Sequence, residues 1–379
     1  MKKFLLRKEH FGGTLFSTKT GKRVYVSKDE FLSIEGGGAI TEYLNEDVGE
    51  IKIAYPNLLF ESGFSSPDTI FLEVTRACNL SCKHCFNDSG RRMEGEIGIE
   101  KQKMIIGECV RLGVQEIRFT GGEPLVSNHV YDLIHEASQN NLRVSMGTNG
   151  TLITRENARR LFVCGLDMAI VSIDGTEKSH DALRGQGNFQ KSINGILNLR
   201  EQNINVRVNI VAVKPNLKDI PSVVEFFHKL GVGVFVRRFI PLGRSADVAS
   251  NFFLNSDDYD WLKREIGIYL DDPSGMVRGH YLSDECVKSR ITLLFSRRDC
   301  SAGQRAFVID PQGNVQLCGF MNQVATIFSG DISDESLEQI WHRIITENPI
   351  GNLTKKLESY NTVNMKTNCF AIALASHAK

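Results

Sequence analysis

Between residues 69 and 240, short apolar runs alternate with longer amphipathic stretches. Residues 70–75, 116–120, 143–147, 168–173, 206–213 and 232–239 read as strands. The stretches 100–112, 130–140, 155–164, 189–202 and 220–230 carry the helical period. Several runs are continuous rather than alternating, as in Met168-Ala-Ile-Val-Ser-Ile173, which is what a parallel strand covered on both faces needs. Six βα units predict an α/β fold, an open or partial TIM-like (β/α)6 barrel with function at the C-terminal ends of the strands. A doubly wound sheet has the same periodicity, so the pattern alone leaves that alternative standing.

The flanks have a different rhythm. Residues 4–16, broken by Gly12-Gly13, and 22–27 predict two short strands around a turn at Thr20-Gly21. A helix follows with Ser27 as N-cap and Glu30 at its third position, and Gly36-Gly37-Gly38 interrupts it before 40–44. The stretch Gly63-Phe-Ser-Ser-Pro67 reads as a linker. After Pro241 the βα alternation is expected to stop, with a helix over 257–270 and a hairpin of 306–310 and 315–318 around Pro-Gln-Gly-Asn. The expected organisation is a small α+β winged unit over 1–65, a barrel over 66–245, and a smaller third unit over 246–379.

Composition narrows the chemistry. Forty-five basic residues balance forty-five acidic ones, so charge gives no argument for nucleic acid or an anionic membrane. No apolar run is long enough to span a bilayer, and the opening Met-Lys-Lys-Phe-Leu-Leu-Arg has too short an apolar stretch for a secretory signal. The expected compartment is the cytoplasm, where nine cysteines point to metal or redox chemistry rather than disulfides.

Three of those cysteines stand in Cys78-Asn-Leu-Ser-Cys82-Lys-His-Cys85, just after the first βα strand. Thiolates ligate iron–sulfur clusters, and three of them leave one iron of a 4Fe–4S cube open to a second reactant. Zinc or three incidental thiols are the alternatives, although zinc sites usually come as paired Cys-x2-Cys units. The Cys-x3-Cys-x2-Cys spacing in this loop resembles the signature of the radical S-adenosylmethionine (SAM) enzymes, over about residues 69–244. The resemblance implies that Cys78, Cys82 and Cys85 hold the cluster and that SAM chelates the open iron. Reductive cleavage of SAM then gives a 5′-deoxyadenosyl radical that abstracts a substrate hydrogen. Flavodoxin or ferredoxin would be the electron donor.

The same resemblance assigns further cofactor contacts. His84 occupies a position usually held by an aromatic residue near the adenine. Gly121-Gly122-Glu123-Pro124 would meet the SAM amino group, two glycines permitting close backbone approach and Glu123 offering an acceptor. Thr148-Asn149-Gly150 ends the third strand, and Ser172 and Asp174 resemble residues at the ribose and carboxylate. Arg184 looks like the arginine that pairs with the SAM carboxylate, and Asn209 is either a cofactor contact or a satisfied core amide. Cys109 and Cys164 read as small apolar residues within helices.

The ends of the chain suggest the substrate. Cys300-Ser-Ala-Gly, Cys318-Gly and Ile340-Trp341 resemble the twitch or SPASM extension, which carries auxiliary iron–sulfur clusters. The chain departs from the full pattern, since only Cys369 follows. Cys300, Cys318 and Cys369 could hold one cluster, with Cys286, His377 or a substrate as the fourth ligand, or the extension could keep its fold without metal. The N-terminal hairpin resembles the precursor-recognition domain of ribosomal peptide maturases, which binds a leader peptide as an added strand; a structural cap on the barrel is the alternative. The reading that follows is a radical SAM maturase of a ribosomally made precursor peptide. A radical SAM enzyme acting on a sugar alcohol, a tetrapyrrole or another enzyme is the first alternative, and a catalytically silent peptide-docking scaffold the second.

Overall fold

The computed structural model describes residues 3–46, 49–61, 63–272, 276–279, 302–320 and 330–347. The N-terminal unit is built from β1 (Lys3–Glu9), β2 (Gly12–Ser17), β3 (Arg23–Ser27), α1 (Lys28–Glu35), α2 (Thr41–Leu44) and β4 (Glu50–Ala54). Its sheet runs β3-β2-β1-β4, antiparallel except for β4, which lies parallel to β1. The expected helix start is present: Ser27 Oγ accepts from Glu30 N at 3.3 Å, and Ser27 N donates to Glu30 Oε2 at 2.6 Å. Residues 4–16 form two strands where one broken strand was expected. The chain turns at His10-Phe11, and Gly12-Gly13 begins β2. A Cβ on Gly12 would stand 2.3 Å from Val26 O, so the glycine admits close strand approach.

Residues 63–67 are not a linker. Phe64, Ser65, Ser66 and Asp68 are buried, because the sheet of the N-terminal unit is pinned to the barrel through them. Arg7, with no exposed surface, donates to Glu9 (2.7 Å), Asp68 (2.8 Å) and the carbonyls of Pro67 and Gly113. Ser65 in turn donates to Glu9 from both N and Oγ, each at 2.8 Å. A buried charge must be paired or it costs several kcal/mol, and here every partner comes from the seam.

The barrel alternates β5 (Thr69–Thr75), α3 (Ile99–Leu112), β6 (Glu116–Gly121), α4 (Val130–Gln139), β7 (Arg143–Thr148), α5 (Arg155–Cys164) and β8 (Met168–Ser172). It continues through α6 (Glu177–Arg184), α7 (Asn188–Glu201), β9 (Asn205–Ala212), α8 (Ile220–Lys229) and β10 (Gly233–Arg238). The alternation does not end at Pro241. After α9 (Ala249–Phe252) and α10 (Ser256–Leu270), β11 (Val277–Gly279) adds a further parallel strand beside β10. Nor does the later hairpin stand apart. β12 (Ala306–Ile309) pairs parallel with β5, and β13 (Asn314–Gln316) and β14 (Gly330–Asp331) continue the same sheet. The helix α11 (Leu337–Glu347) buries Trp341, whose Nε1 donates to Phe64 O at 3.0 Å.

Burial along the strands follows the two faces. Ile117, Phe119, Val208, Ile210, Val234 and Val236 are all at most 1% exposed under the helices. Their neighbours Arg118, Thr120, Arg207, Asn209, Phe235 and Arg237 are only half-buried and face the lumen. The barrel is therefore hollow and polar inside. A closed TIM barrel fills that space with branched apolar side chains. Among the described residues no helix is long and apolar enough to cross a membrane.

Candidate active site

The loop after β5 is held by its backbone. Cys78 N donates to Gly90 O (2.9 Å) and Cys85 N to Cys82 O (3.3 Å). Arg244 donates to Cys82 O (3.0 Å) and Ser89 O (2.6 Å). Gly243, at φ +58°, lets that turn pass over the loop, since a Cβ there would lie 2.4 Å from Phe86 O. Sequence reasoning did not single out Gly243-Arg244; its signal was a glycine–arginine pair immediately after the last recognised strand.

Cys78, Cys82 and Cys85 are free thiols. Leu80 N donates to Cys78 Sγ and Ser89 N to Cys85 Sγ, each at 3.4 Å, and Arg184 Nη1 lies 3.8 Å from Cys82 Sγ. Donors aimed at sulfur stabilise thiolate ligands, so the loop fits an iron–sulfur cluster. Burial pushes Cys78 up to about 11 and raises Cys82 as well. Displacing those protons is work that iron coordination performs. Among the described residues no three His, Cys, Asp or Glu side chains converge on a point that would suit one metal ion.

The glycines of Gly121-Gly122 permit a close approach within the chain itself. Cβ atoms there would stand 2.3 Å from Thr75 O and 2.1 Å from Ala77 O, so they press the end of β6 against the cluster loop. Gly122 N and Glu123 N donate to those same carbonyls at 2.7 and 2.9 Å. Glu123 is fully buried and turned away from open space. It accepts from Thr148 Oγ1 (2.8 Å) and Asn149 N (2.7 Å), and desolvation, only partly offset by these bonds, pushes it up to about 7. Pro124, buried beside it, begins a short 3-10 turn. Asn149 reaches back to the cluster loop, donating to Asn79 Oδ1 at 2.8 Å.

Asp174 is held by partners from three elements. Its carboxylate has no exposed surface and accepts from Arg184 Nε (2.5 Å), His84 Nε2 (2.9 Å) and Val211 N (2.8 Å). Burial works to raise it, but Arg184, His84 and His180 outweigh burial and hold it well below the usual carboxylate range. His84 is buried against this carboxylate, because the segment turns rather than running extended. Arg184, at the end of α6, is thereby aimed at Cys82. The structure thus brings Cys82, His84, Asp174 and Arg184 into one charged knot. Ser172 and Asn209 pair across β8 and β9, and Asn209 Oδ1 is a buried acceptor without a partner. An orphaned acceptor on the lumen wall fits a polar cofactor such as SAM.

Cys318 is half-buried, and Phe320, two residues on, packs on Phe86 of the cluster loop at 4.6 Å between ring centroids. Cys286, Cys300, Cys369 and His377 lie outside the described residues. Cys109 is fully buried in α3 as expected, whereas Cys164 at the end of α5 is only half-buried.

The profile of the radical SAM superfamily matches residues 72–227, the span that contains this loop and the lumen-facing strands. The chain is a radical SAM enzyme. The profile of the SPASM family, an iron–sulfur cluster-binding domain, matches residues 300–359. Two relatives illustrate the range. Mycofactocin maturase MftC of Mycobacterium tuberculosis is 29% identical over 74% of this chain and 72% of its own length. The AdoMet-dependent heme synthase of Nitratidesulfovibrio vulgaris is 29% identical over 78% of this chain and 84% of its own. Among solved structures, Streptococcus suis SuiB bound to its precursor peptide SuiA superposes with a TM-score of 0.69 at 16% identity, covering 90% of this chain and 88% of SuiB. The fold is accordingly that of a SPASM-type radical SAM enzyme. Its cofactors are a 4Fe–4S cluster and SAM, with auxiliary iron–sulfur chemistry implied by the C-terminal domain. When bound, the pair supplies reductive cleavage of a sulfonium to an adenosyl radical. What the chain supplies is the thiolate loop, the backbone donors to sulfur, the Arg184 cation and a polar lumen.

Proposed function

We propose that this enzyme directs its radical at a C–H bond of a ribosomally made peptide. Cys78, Cys82 and Cys85 would hold the radical cluster, with Gly121, Gly122, Glu123 and Pro124 shaping the loop against it. Asn149, Ser172, Arg184 and Asn209 would meet SAM, with His84 and Asp174 positioning Arg184. Cys318, with Cys300 and Cys369, would contribute to the auxiliary site. A small acidic flavoprotein or ferredoxin would deliver the electron.

The observation that carries the reading is the N-terminal sheet. Among the described residues β3 pairs only with β2, leaving one strand edge of that sheet open. Strand addition to such an edge gains affinity from backbone hydrogen bonds. The unit is anchored to the barrel through Arg7, so a captured leader would be held at a fixed distance from the lumen. The maturase MftC, and SuiB with its bound precursor peptide, support the same reading. The heme synthase relative supports a tetrapyrrole substrate instead, and one experiment separates the two. Hydrogen exchange on the full-length enzyme, with any short peptide found encoded beside its gene as the probe, should slow at the β3 amides 23–27 and leave the barrel helices unchanged. Unaltered exchange at β3 would move the substrate class to tetrapyrroles.

A further inference from the structure

The lumen carries more positive charge than its own acids neutralise. Arg118 on β6, Arg207 on β9 and Arg237 on β10 all face it. Two acids are close by, and both are taken. Glu116 accepts from Arg118 Nη2 and Ser145 Oγ, each at 2.6 Å, and Glu73 is held by Asn87 (2.8 Å) and Arg76 (2.9 Å). Arg207 and Arg237 are left without a carboxylate among the described residues. Their Nε atoms are buried with no hydrogen-bond partner, and their guanidinium groups rest near the Phe235 ring, 5.8 and 5.3 Å from its centroid.

We propose that Arg207 and Arg237 form an oxyanion subsite inside the barrel that takes a carboxylate of the substrate. Buried unpaired cations are costly, and a guanidinium is the donor suited to bind a carboxylate through two parallel hydrogen bonds. Burial, then repulsion from Arg118, pushes Arg207 down to about 9 and Arg237 down to about 10, and Glu116 and Cys318 offset only part of this. The sheet register sets the depth. Asn209 stands opposite both Ser172 and Phe235, so the two arginines bracket the level of the residues expected to meet SAM. Arg207 also lines a cavity of about 480 Å³ at the N-terminal mouth of the barrel, with Arg143, Asn205, Phe235, Arg278 and Lys19. An acidic group anchored between these guanidiniums would fix the adjoining carbon beneath the point of hydrogen abstraction.

The inference rests on the lumen being the substrate chamber, as in the proposed function, but not on the substrate being a peptide. The test uses full-length enzyme reconstituted anaerobically with its clusters and saturated with SAM, and measures binding calorimetrically. The probes are acetyl-Gly-Glu-Gly-amide, acetyl-Gly-Gln-Gly-amide, coproporphyrin III and its tetramethyl ester. The acid should bind at least about tenfold more tightly than its neutral partner, a difference of about 1.4 kcal/mol. Arg207→Gln with Arg237→Gln should abolish that preference, and Arg237→Lys should keep part of it. Iron per chain serves as the check that the variants fold. A preference seen only with the porphyrin pair would keep the subsite and sink the peptide reading. Equal binding of acid and neutral partner in both pairs, no binding of any probe, or a preference that survives the double substitution would overturn the subsite. So would an Arg237→Gln variant that keeps the preference and shifts only the reduction potential of a cluster at Cys318, the described group that supports Arg237 electrostatically.

Discussion

At the residue scale, one carboxylate is held charged and another is held near neutrality within the same site. Asp174 keeps its charge because Arg184 and His84 surround it, whereas Glu123 is offered only dipoles and distant help from Arg184. The folded pKa of Glu123, about 7, lies above its ordinary 4.5, so the folded state binds the extra proton between those values. Its contribution is therefore full below pH 4.5 and lost as pH rises through 7, amounting to roughly 3 kcal/mol. Replacing Glu123 by Gln should flatten the fall in melting temperature between pH 5 and pH 8, although Asp167, raised to about 6, will keep part of the slope. A variant whose slope matches the parent's would show that Glu123 is ionised throughout. The motif positions of this site were legible because each sits at the end of a locally recognisable strand. The directions of the side chains were not. Glu123 and Asp174 read in the sequence only as acceptors at strand ends; the partners that orient them, Thr148, Arg184 and Val211, arrive from other βα units.

At the element scale, the six expected barrel strands all form, each within about two residues of its expected limits, since each has an apolar run flanked by turns. What was missed lacks that signature. The α6 sequence Glu-Lys-Ser-His-Asp-Ala-Leu-Arg has few apolar residues, yet buries His180 and Asp181, the latter accepting from the Gly187 and Phe189 amides. β4 and β11 are short and owe their existence to partners far along the chain. The expected linker misleads for a similar reason: Ser65 and Ser66 are polar by composition but buried, Ser65 through its bonds to Glu9 of the N-terminal unit. Deleting everything before residue 65 should therefore unfold the enzyme, not merely blind it to a leader. The sharper test is Arg7→Met, which takes the cation from Glu9 and leaves Asp68 only its 3.4 Å pair with Arg23, and should cost about 3–5 kcal/mol in denaturant titration. Adding Glu9→Gln and Asp68→Asn should recover much of that loss. A loss below about 1 kcal/mol for Arg7→Met would mean that the seam does not carry the docking.

At the scale of the whole molecule, one continuous sheet joins the radical loop to the C-terminal strands through β5 and β12. Cys318 and the radical loop are thus parts of one rigid frame. Replacing Cys78, Cys82 and Cys85 together by Ala should abolish reductive SAM cleavage while leaving iron and a thiolate-to-iron absorption band. Removing Cys300 and Cys318 as well should then remove that residual iron. Iron-free triple-Ala protein would mean that the C-terminal domain holds no cluster, and unimpaired SAM cleavage would remove the radical assignment itself. The hollow barrel has a last consequence, for how such an enzyme can change over time. Along β6, β9 and β10 the residues that hold the sheet to its helices and those that face the chamber occupy alternate positions. Even-numbered Val208, Ile210, Val234 and Val236 bear the packing, while odd-numbered Arg207, Asn209, Phe235 and Arg237 line the chamber. A substitution at an odd position in β9 or β10 can therefore change what the chamber accepts at little cost to folding, and a lineage could exchange substrates without rebuilding its scaffold.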